Sequence, residues 1–544
     1  MKKLTIFYCL LTICSVVAAD TATMNSFSAG EITPKLGARS DVKLWYSACQ
    51  ELSNFFTDPK GGVKKRSGTY YIPYVDGVEI TPGTPGTDEV LGDYPTLRAT
   101  TDQADPGLTK TTAISDLTDL ENMKNNLAGN YYLTGDIDAS GTADPGYNSG
   151  YGWAQIEIFT GTFDGCGYTI SDLYINRNSN NKGLFGVVGY TAGATIANVT
   201  LADVDISGGG YYCGALVARA ESSDSGDVLI QNCHVTGSIT SAGAGMGYYG
   251  GLIGIAQRRS GSTSGIIYVY DSSSSCSLDM SNAGYYSYRG GLIGYAYLMV
   301  ISNCFATGSL TDGDSGDQQI GGFAGSISYS DLSFCYSTGD VEGVDIYAGG
   351  FAGAITNCEF DSCSATGDVT GNSAVGGFAG NIESSVASPG SVTDCYAQGD
   401  VTATSEAGGF VGKVDDTYTI FTNGYSVGLV TADSAEGGYD GDSAENTTFT
   451  ACYWDTETSG QATTNGSAVG QETLWLKRKS NFTDAGWDMD TIWYQAYTAA
   501  VPEVPDTEIT VEIDPRRLVP FVRDAEYSHV IALGDKNISF FEGD

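Results

Sequence analysis

The chain has 544 residues, too many for one ordinary compact domain, yet only 17% of them are charged and 73 are Gly. A net charge of −39 argues against a phosphate-backbone binder, which needs Lys and Arg to displace counterions. The Gly has no three-residue period, which excludes collagen, and its company of 35 Tyr points to a β-rich chain with aromatic bulk and glycine turns.

Residues 1–23 form a signal-like leader. Lys2 and Lys3 precede an apolar run, Leu4 to Val17, and Ala18-Ala19 offers a cleavage site. The run is short for a membrane span, and no later segment is a candidate. Met24 offers an alternative start. Residues 24–80 differ in kind: Asn25-Ser26-Phe27, Gly30-Glu31, Pro34, Arg39, Asp41, Tyr46, Asn54-Phe55, then Gly61-Gly62 through Arg66 to Thr69. The pattern reads as an extended arm and a basic turn entering a strand. Lys64-Lys65-Arg66 is read as a solvated turn rather than a DNA contact. These residues resemble the N-terminal signature of a bacteriophage tail protein family of the tail-tip nozzle kind, with Ser67 where that family has Pro. Residues 81–110, with Pro82, Pro85, Pro95 and Pro106, read as a linker.

Residues 111–498 carry a repeat. Apolar residues at 114, 117, 120, 123 and 127 have helical spacing, and Ser115-Asp116 caps its start. The phrase Gly-Gly-apolar-x-Gly then returns, with its second and third Gly at Gly251 and Gly254, Gly291 and Gly294, Gly322 and Gly325, Gly350 and Gly353, Gly377 and Gly380, and Gly409 and Gly412. A worn copy, Gly437-Gly438-Tyr439-Asp440-Gly441, closes the run. A second phrase begins at Cys304, Cys335, Cys363 and Cys395, and Cys233, Cys276 and Cys452 are assigned to the same repeat position. Two alternating phrases at a near-constant period indicate stacked units. Stacking would line the Cys into a column of small buried side chains, which free thiols suit better than disulfides. With Phe163-Asp164-Gly165, Gly183-Leu184-Phe185-Gly186 and Cys452-Tyr453-Trp454-Asp455, these phrases resemble the GLUG repeats of bacterial surface proteins. Such repeats occur in large adhesins and beside some immunoglobulin-cleaving peptidases, and the resemblance implies a β-solenoid. Residues 499–507 form a second linker. Residues 508–544 read as a strand, a Gly534-Asp535 turn and a strand, and Arg517-Leu518-Val519-Pro520-Phe521 resembles the continuation of the phage segment. The fold class expected is therefore mainly β, a repeat solenoid inserted between short terminal β segments of a phage tail platform, which is truncated or continues in another chain.

Chemistry is sparse. There is no His-Glu-x-x-His and no Cys-x-x-Cys, no Gly-x-Ser-x-Gly elbow stands between a strand and a helix pattern, and the two His are His234 and His529. Asp340, Asp368 and Asp400 are the candidates for a glycan-cleaving carboxylate set, but their regular recurrence fits turn chemistry better. No calcium nonapeptide occurs, and neither a cofactor nor a metal is expected. The binding candidates are Tyr211, Tyr212, Tyr248, Tyr249, Tyr285, Tyr286 and Tyr347, which stand just before the Gly-Gly phrases, where exposed rings would suit a sugar or a protein. The function expected is a non-enzymatic phage tail structural protein that displays its solenoid to host or mucosal surfaces. Its partners would be other tail proteins and a cell-surface glycan or protein, without nucleic acid on the solenoid. The alternatives are a secreted bacterial surface adhesin and a glycan depolymerase.

Overall fold

A computed structural model describes residues 93–495, apart from 241–246, 282–286, 314–318, 345–346, 416–417 and 445–446. It also gives the backbone of the terminal strands Tyr74–Val75, Val78–Glu79, Ile509–Val511, His529–Leu533 and Lys536–Phe540. The leader and most of the two phage-like segments lie outside the described residues. The chain divides into two compact units. One holds residues 97–473 and 485–493, and the other residues 1–96, 474–484 and 494–544. In the latter, His529–Leu533 pairs antiparallel with Lys536–Phe540, which pairs parallel with Ile509–Val511.

The larger unit is a parallel β-solenoid. One coil consists of Tyr347–Gly349, Ala352–Thr356, Glu359–Asp361, Ser364–Ala365 and Val369–Thr370. Each strand pairs with its equivalent in the next coil: Ala348 with Val375, Ala352 with Ala379, Phe360 with Val392, Ser364 with Tyr396 and Val369 with Val401. Two of the resulting sheets are 9-stranded. Parallel stacking buries both the strand edges and the inward side chains, so each coil is stable only against its neighbours.

The Gly phrase makes one corner. Its glycines are required by close approach: a Cβ on Gly350 would strike the carbonyl of Gly377, and one on Gly377 the carbonyl of Gly409. A Cβ on Gly353 would stand 2.6 Å from Ile320 N and 2.7 Å from Gly325 O, on the coil behind. The apolar residue of the phrase points inward. Phe323, Phe351, Phe378, Phe410 and Tyr439 stack at centroid separations of 4.5, 4.9, 4.8 and 4.8 Å, all buried. Phe360 meets Phe351 and Phe378 edge-on. Another corner uses left-handed residues: Asn198, Asn232, Asp271, Asn303, Asp394 and Asn423 all have φ between 50° and 57°. Asn and Asp tolerate this region best, and here their side chains bond along the stack, Asn303 Nδ2 to Asp271 Oδ1 at 2.9 Å and Asn423 Nδ2 to Asp394 Oδ1 at 3.1 Å.

Cys304, Cys335, Cys363 and Cys395 follow this corner as a buried column of free thiols. The expected set of seven equivalent Cys is corrected at one member. Cys276 pairs with Gly237, in the column that Gly308 continues. Ser272 takes its place, donating to Tyr270 O at 2.7 Å and accepting from Cys233 N at 3.1 Å. Gly424 interrupts the column before Cys452, and the Tyr439 hydroxyl occupies the space that a side chain there would fill. The worn copy of the phrase is thus a compensated one.

The N-terminal helix is shorter than its spacing predicts. Thr112–Ile114 is a strand paired with Tyr131–Leu133, and the helix spans Leu117–Asn122, continued by a 3-10 turn at Met123–Asn125. Ile114 is inward because of the strand's period of two. The Asp116 cap accepts from Asp119 N at 2.9 Å.

One inward column is polar. Lys182, Cys213, Tyr249 and Arg289 stand at successive equivalent positions before Ile320. Lys182 donates to the Gly208 carbonyl, and Arg289 is ion-paired with Asp312, both fully buried. Burial lowers the Lys182 ammonium pKa.

Candidate functional site

The outer surface of the early coils carries a tyrosine strip. In strand Gly247–Gly250 successive side chains alternate, so only one of Tyr248 and Tyr249 faces out. It is Tyr248. Tyr249 is 1% exposed and donates its hydroxyl to Gly210 O at 3.1 Å, which removes it from the binding candidates. Tyr248 stacks on Tyr212 at 5.4 Å and on Tyr288 at 5.1 Å, with interplanar angles of 19° and 14°. Tyr295, on the adjoining face, meets Tyr248 edge-on at 5.9 Å and Tyr288 at 5.2 Å. Tyr297 and Tyr329 extend the patch. Burial first, then the neighbouring phenols, pushes the Tyr248 hydroxyl up to about 12, so it remains a protonated donor at neutral pH.

The remaining candidates are dispersed. Tyr211 is exposed and contacts Tyr212 at 6.4 Å. Tyr347 occupies the column of Tyr248 and Tyr288, but Gln319 separates it from them. Tyr285 and Tyr286 lie outside the described residues. Tyr288, Tyr295 and Tyr297 are contacts that sequence reasoning missed. The signal was present for Tyr288, which stands two residues before its Gly-Gly as Tyr248 does. At one end of the strip Arg219 lies 5.6 Å over Tyr212, and Arg259 lies 4.1 Å over Tyr190. Such cation–π contacts orient the rings and hold the strip rigid.

The enzyme candidates are placed as follows. Asp340 accepts from Asp368 N at 3.0 Å, Asp368 from Asp400 N at 2.8 Å, and Asp400 from Leu429 N at 2.8 Å. Each carboxylate therefore tethers its coil to the next. His234 has both ring nitrogens engaged. Asn232 Oδ1 accepts from Nε2 at 3.1 Å, and Nδ1 takes the Ser273 hydroxyl at 2.8 Å. Burial lowers its pKa, with Asp102 and Asp271 opposing. The side chain of His529 lies outside the described residues. Among the described residues no group of three or more His, Cys, Asp or Glu is placed to hold a metal, and no helix is long and apolar enough to cross a membrane.

Comparison with known proteins adds to this geometry. Residues 345–370 and 371–402 match the GLUG motif. The chain carries GLUG repeats. Residues 109–237 match the M26 IgA1-specific metallo-endopeptidase N-terminal region. Over 126 residues, 23% of this chain, it is 40% identical to halomucin of Haloquadratum walsbyi. Over 107 residues, 18% of the chain, it is 35% identical to a Gly-rich membrane protein of Evansella cellulosilytica. The matches span 1% and 12% of those two proteins. Among solved structures, an immunoglobulin A1 protease from Bacteroides ovatus is 19% identical with a TM-score of 0.31, covering 66% of this chain and 84% of that one.

The expectation of a protein without enzymatic activity is corrected here. The match of residues 109–237 to a region of metallo-endopeptidases points to a peptidase connection instead. None of these matches carries a phage tail signature. The GLUG-repeat solenoid fits an adhesin-like surface protein.

Proposed function

We propose that this solenoid belongs to an adhesin-like protein secreted to, or displayed at, a cell surface, and that its outward tyrosine strip contacts a glycan or protein ligand there. One observation carries the reading: the rings of Tyr212, Tyr248 and Tyr288 form a continuous, half-exposed stack on a rigid parallel scaffold. Rigid phenols give large contact area at low entropic cost, and their hydroxyls add hydrogen bonds. The GLUG motif and the kinship with a mucin-named and a membrane-named protein support the surface setting. Display on a phage tail, the narrower setting drawn from the terminal segments, is tested by virion mass spectrometry, which would have to find the chain there. The test of the main reading is an array of surface glycans and glycoproteins probed with the full chain. Binding is expected, and it should weaken when Tyr248→Ala splits the strip. Equal signals for wild type and variant would refute the strip.

The match of residues 109–237 favours a second reading, in which the solenoid presents a surface glycoprotein to a peptidase region. Chelator-sensitive cleavage of immunoglobulin A1 by the full chain or its complex would support it.

A further inference from the structure

A separate site lies on another face of the solenoid. The residue that follows each position of the column, whether Cys, Ser272 or Gly424, lies on the opposite side of its strand, and its register runs His234, Ser273, Phe305, Tyr336, Ser364, Tyr396, Tyr425. Phe305 and Tyr336 stack at 4.9 Å and 4°, and Tyr396 and Tyr425 at 5.2 Å and 7°. From Phe305 to Tyr425, Ser364 is therefore the position where a ring is missing, between Tyr336 and Tyr396. Two strand spacings, about 10 Å, separate the backbone positions of Tyr336 and Tyr396. Tyr336 is 38% exposed, so one ring face is open on the side away from Phe305, whereas Tyr396 is 7% exposed and shares a hydrogen bond with Ser364.

An extended strap crosses this gap. Arg98 N donates to Ile492 O at 2.8 Å, beside Trp493, whose Nε1 donates to Asp394 Oδ1 at 2.8 Å. At the other end Gln103 N donates to Asp271 Oδ2 at 2.8 Å, and Asp102 accepts from Asn303 Nδ2 at 3.0 Å. From the coil of Asp394 to that of Asp271 is four coil rises, about 19 Å. The five residue-to-residue steps from Arg98 to Gln103 reach about 18 Å at full extension. The strap is thus taut, and it roofs a cavity of about 580 Å³ that Tyr336, Ser364, Thr366, Tyr396, His234 and Asn303 help to line. That volume is in the range of small-ligand sites.

We propose that this slot binds a neutral saccharide, with one pyranose ring laid on the open face of Tyr336 above Ser364. An aromatic face pairs with the apolar C–H face of a flat pyranose. The hydroxyls of Thr366 and Ser364, the amide of Asn303 and the extended strap backbone supply hydrogen bonds to its rim. The nearby carboxylates of Asp102 and Asp271, together with a His234 that burial keeps neutral, disfavour an anionic sugar. The site is distinct from the tyrosine strip, though it rests on the same surface-binding reading.

The experiment titrates cellotetraose and, separately, the tetrasaccharide of β1,4-linked N-acetylglucosamine into the full chain, followed by saturation-transfer NMR. At least one should bind at concentrations up to about 5 mM, the weak end of the specific range. Ser364→Tyr, which completes the ladder, and Tyr336→Ala, which removes the platform, should each weaken that binding at least about tenfold, the scale of one lost ring contact. Melting curves confirm that both variants fold. Tyr248→Ala should leave it unchanged, so failure of the strip and failure of the slot are separable. Absence of binding by both saccharides, or unchanged binding in a folded Ser364→Tyr or Tyr336→Ala protein, overturns the proposal.

Discussion

The compensation between Gly424 and Tyr439 gives a sharp quantitative test of the stacking. Four Phe precede Tyr439 in the inward ladder, and only at Tyr439 does the ring carry a hydroxyl. That hydroxyl lies where a Gly424 side chain would stand, and it is hydrogen-bonded to Cys452, whose thiol burial pushes up to about 12. Tyr439→Phe removes this buried bond and leaves a small void, at a cost of about 1–3 kcal/mol for the stranded partner. Gly424→Cys places Cβ and sulfur against the hydroxyl, an overpacking worth about 1–3 kcal/mol. The double variant restores the pattern of the earlier coils, a Cys beside a Phe, and should return to within about 1 kcal/mol of wild type, near the tolerance of volume-conserving core changes. The coupling energy expected is therefore favourable by at least about 1 kcal/mol, as for contacting residues. Urea melts of the four proteins, followed by tyrosine fluorescence and circular dichroism, measure it. Additivity to within about 0.5 kcal/mol would refute the account, since only independent sites add so closely.

Three further outcomes are expected. Phe378→Ala, with rings 4.9 and 4.8 Å away on its two faces, should lose about 3–5 kcal/mol in the same melts, as buried Phe truncations do. Because burial lowers the His234 pKa, the unfolded chain takes up a proton first as pH falls below about 6.5. Thermal midpoints should consequently drop below that pH, and more steeply in wild type than in His234→Gln; parallel profiles would contradict the buried, neutral assignment. Alkylation of the native protein mapped by mass spectrometry should modify half-exposed Cys166 and spare the buried Cys304, Cys335, Cys363 and Cys395. Labelling of that column at the Cys166 rate would mean that its coils open.

The solenoid was legible because its glycines answer to sterics. A carbonyl from the next coil stands where Gly350 or Gly377 would carry a Cβ, so the phrase has little freedom to drift. The aromatic strip was only half legible. Tyr248 and Tyr249 look equivalent as a pair, and strand alternation sends one to each side. Tyr295 joins from a neighbouring face, a contact that exists only after coils are stacked. The helical spacing misled at Ile114, where inward residues of a strand and of a helix happened to fall in one series. Lys182 and Arg289 gave no sequence signal of burial, since Gly208 and Asp312, the groups that satisfy them, come from turns rather than from the repeat. Ser364, by contrast, departs visibly from Phe305, Tyr336 and Tyr396 at its position, and what that departure means required the strap to be seen above it.

The tyrosine strip carries the central claim, and a binding isotherm tests it most directly. The full chain is flowed over an immobilised mucin glycoprotein as wild type, Tyr248→Ala and Tyr248→Phe. The account predicts that Tyr248→Ala weakens binding at least about tenfold, as loss of an anchoring ring does, while Tyr248→Phe, which keeps the stack, stays within about threefold, the worth of a single exposed hydrogen bond. Wild-type affinity in a folded Tyr248→Ala protein would contradict it.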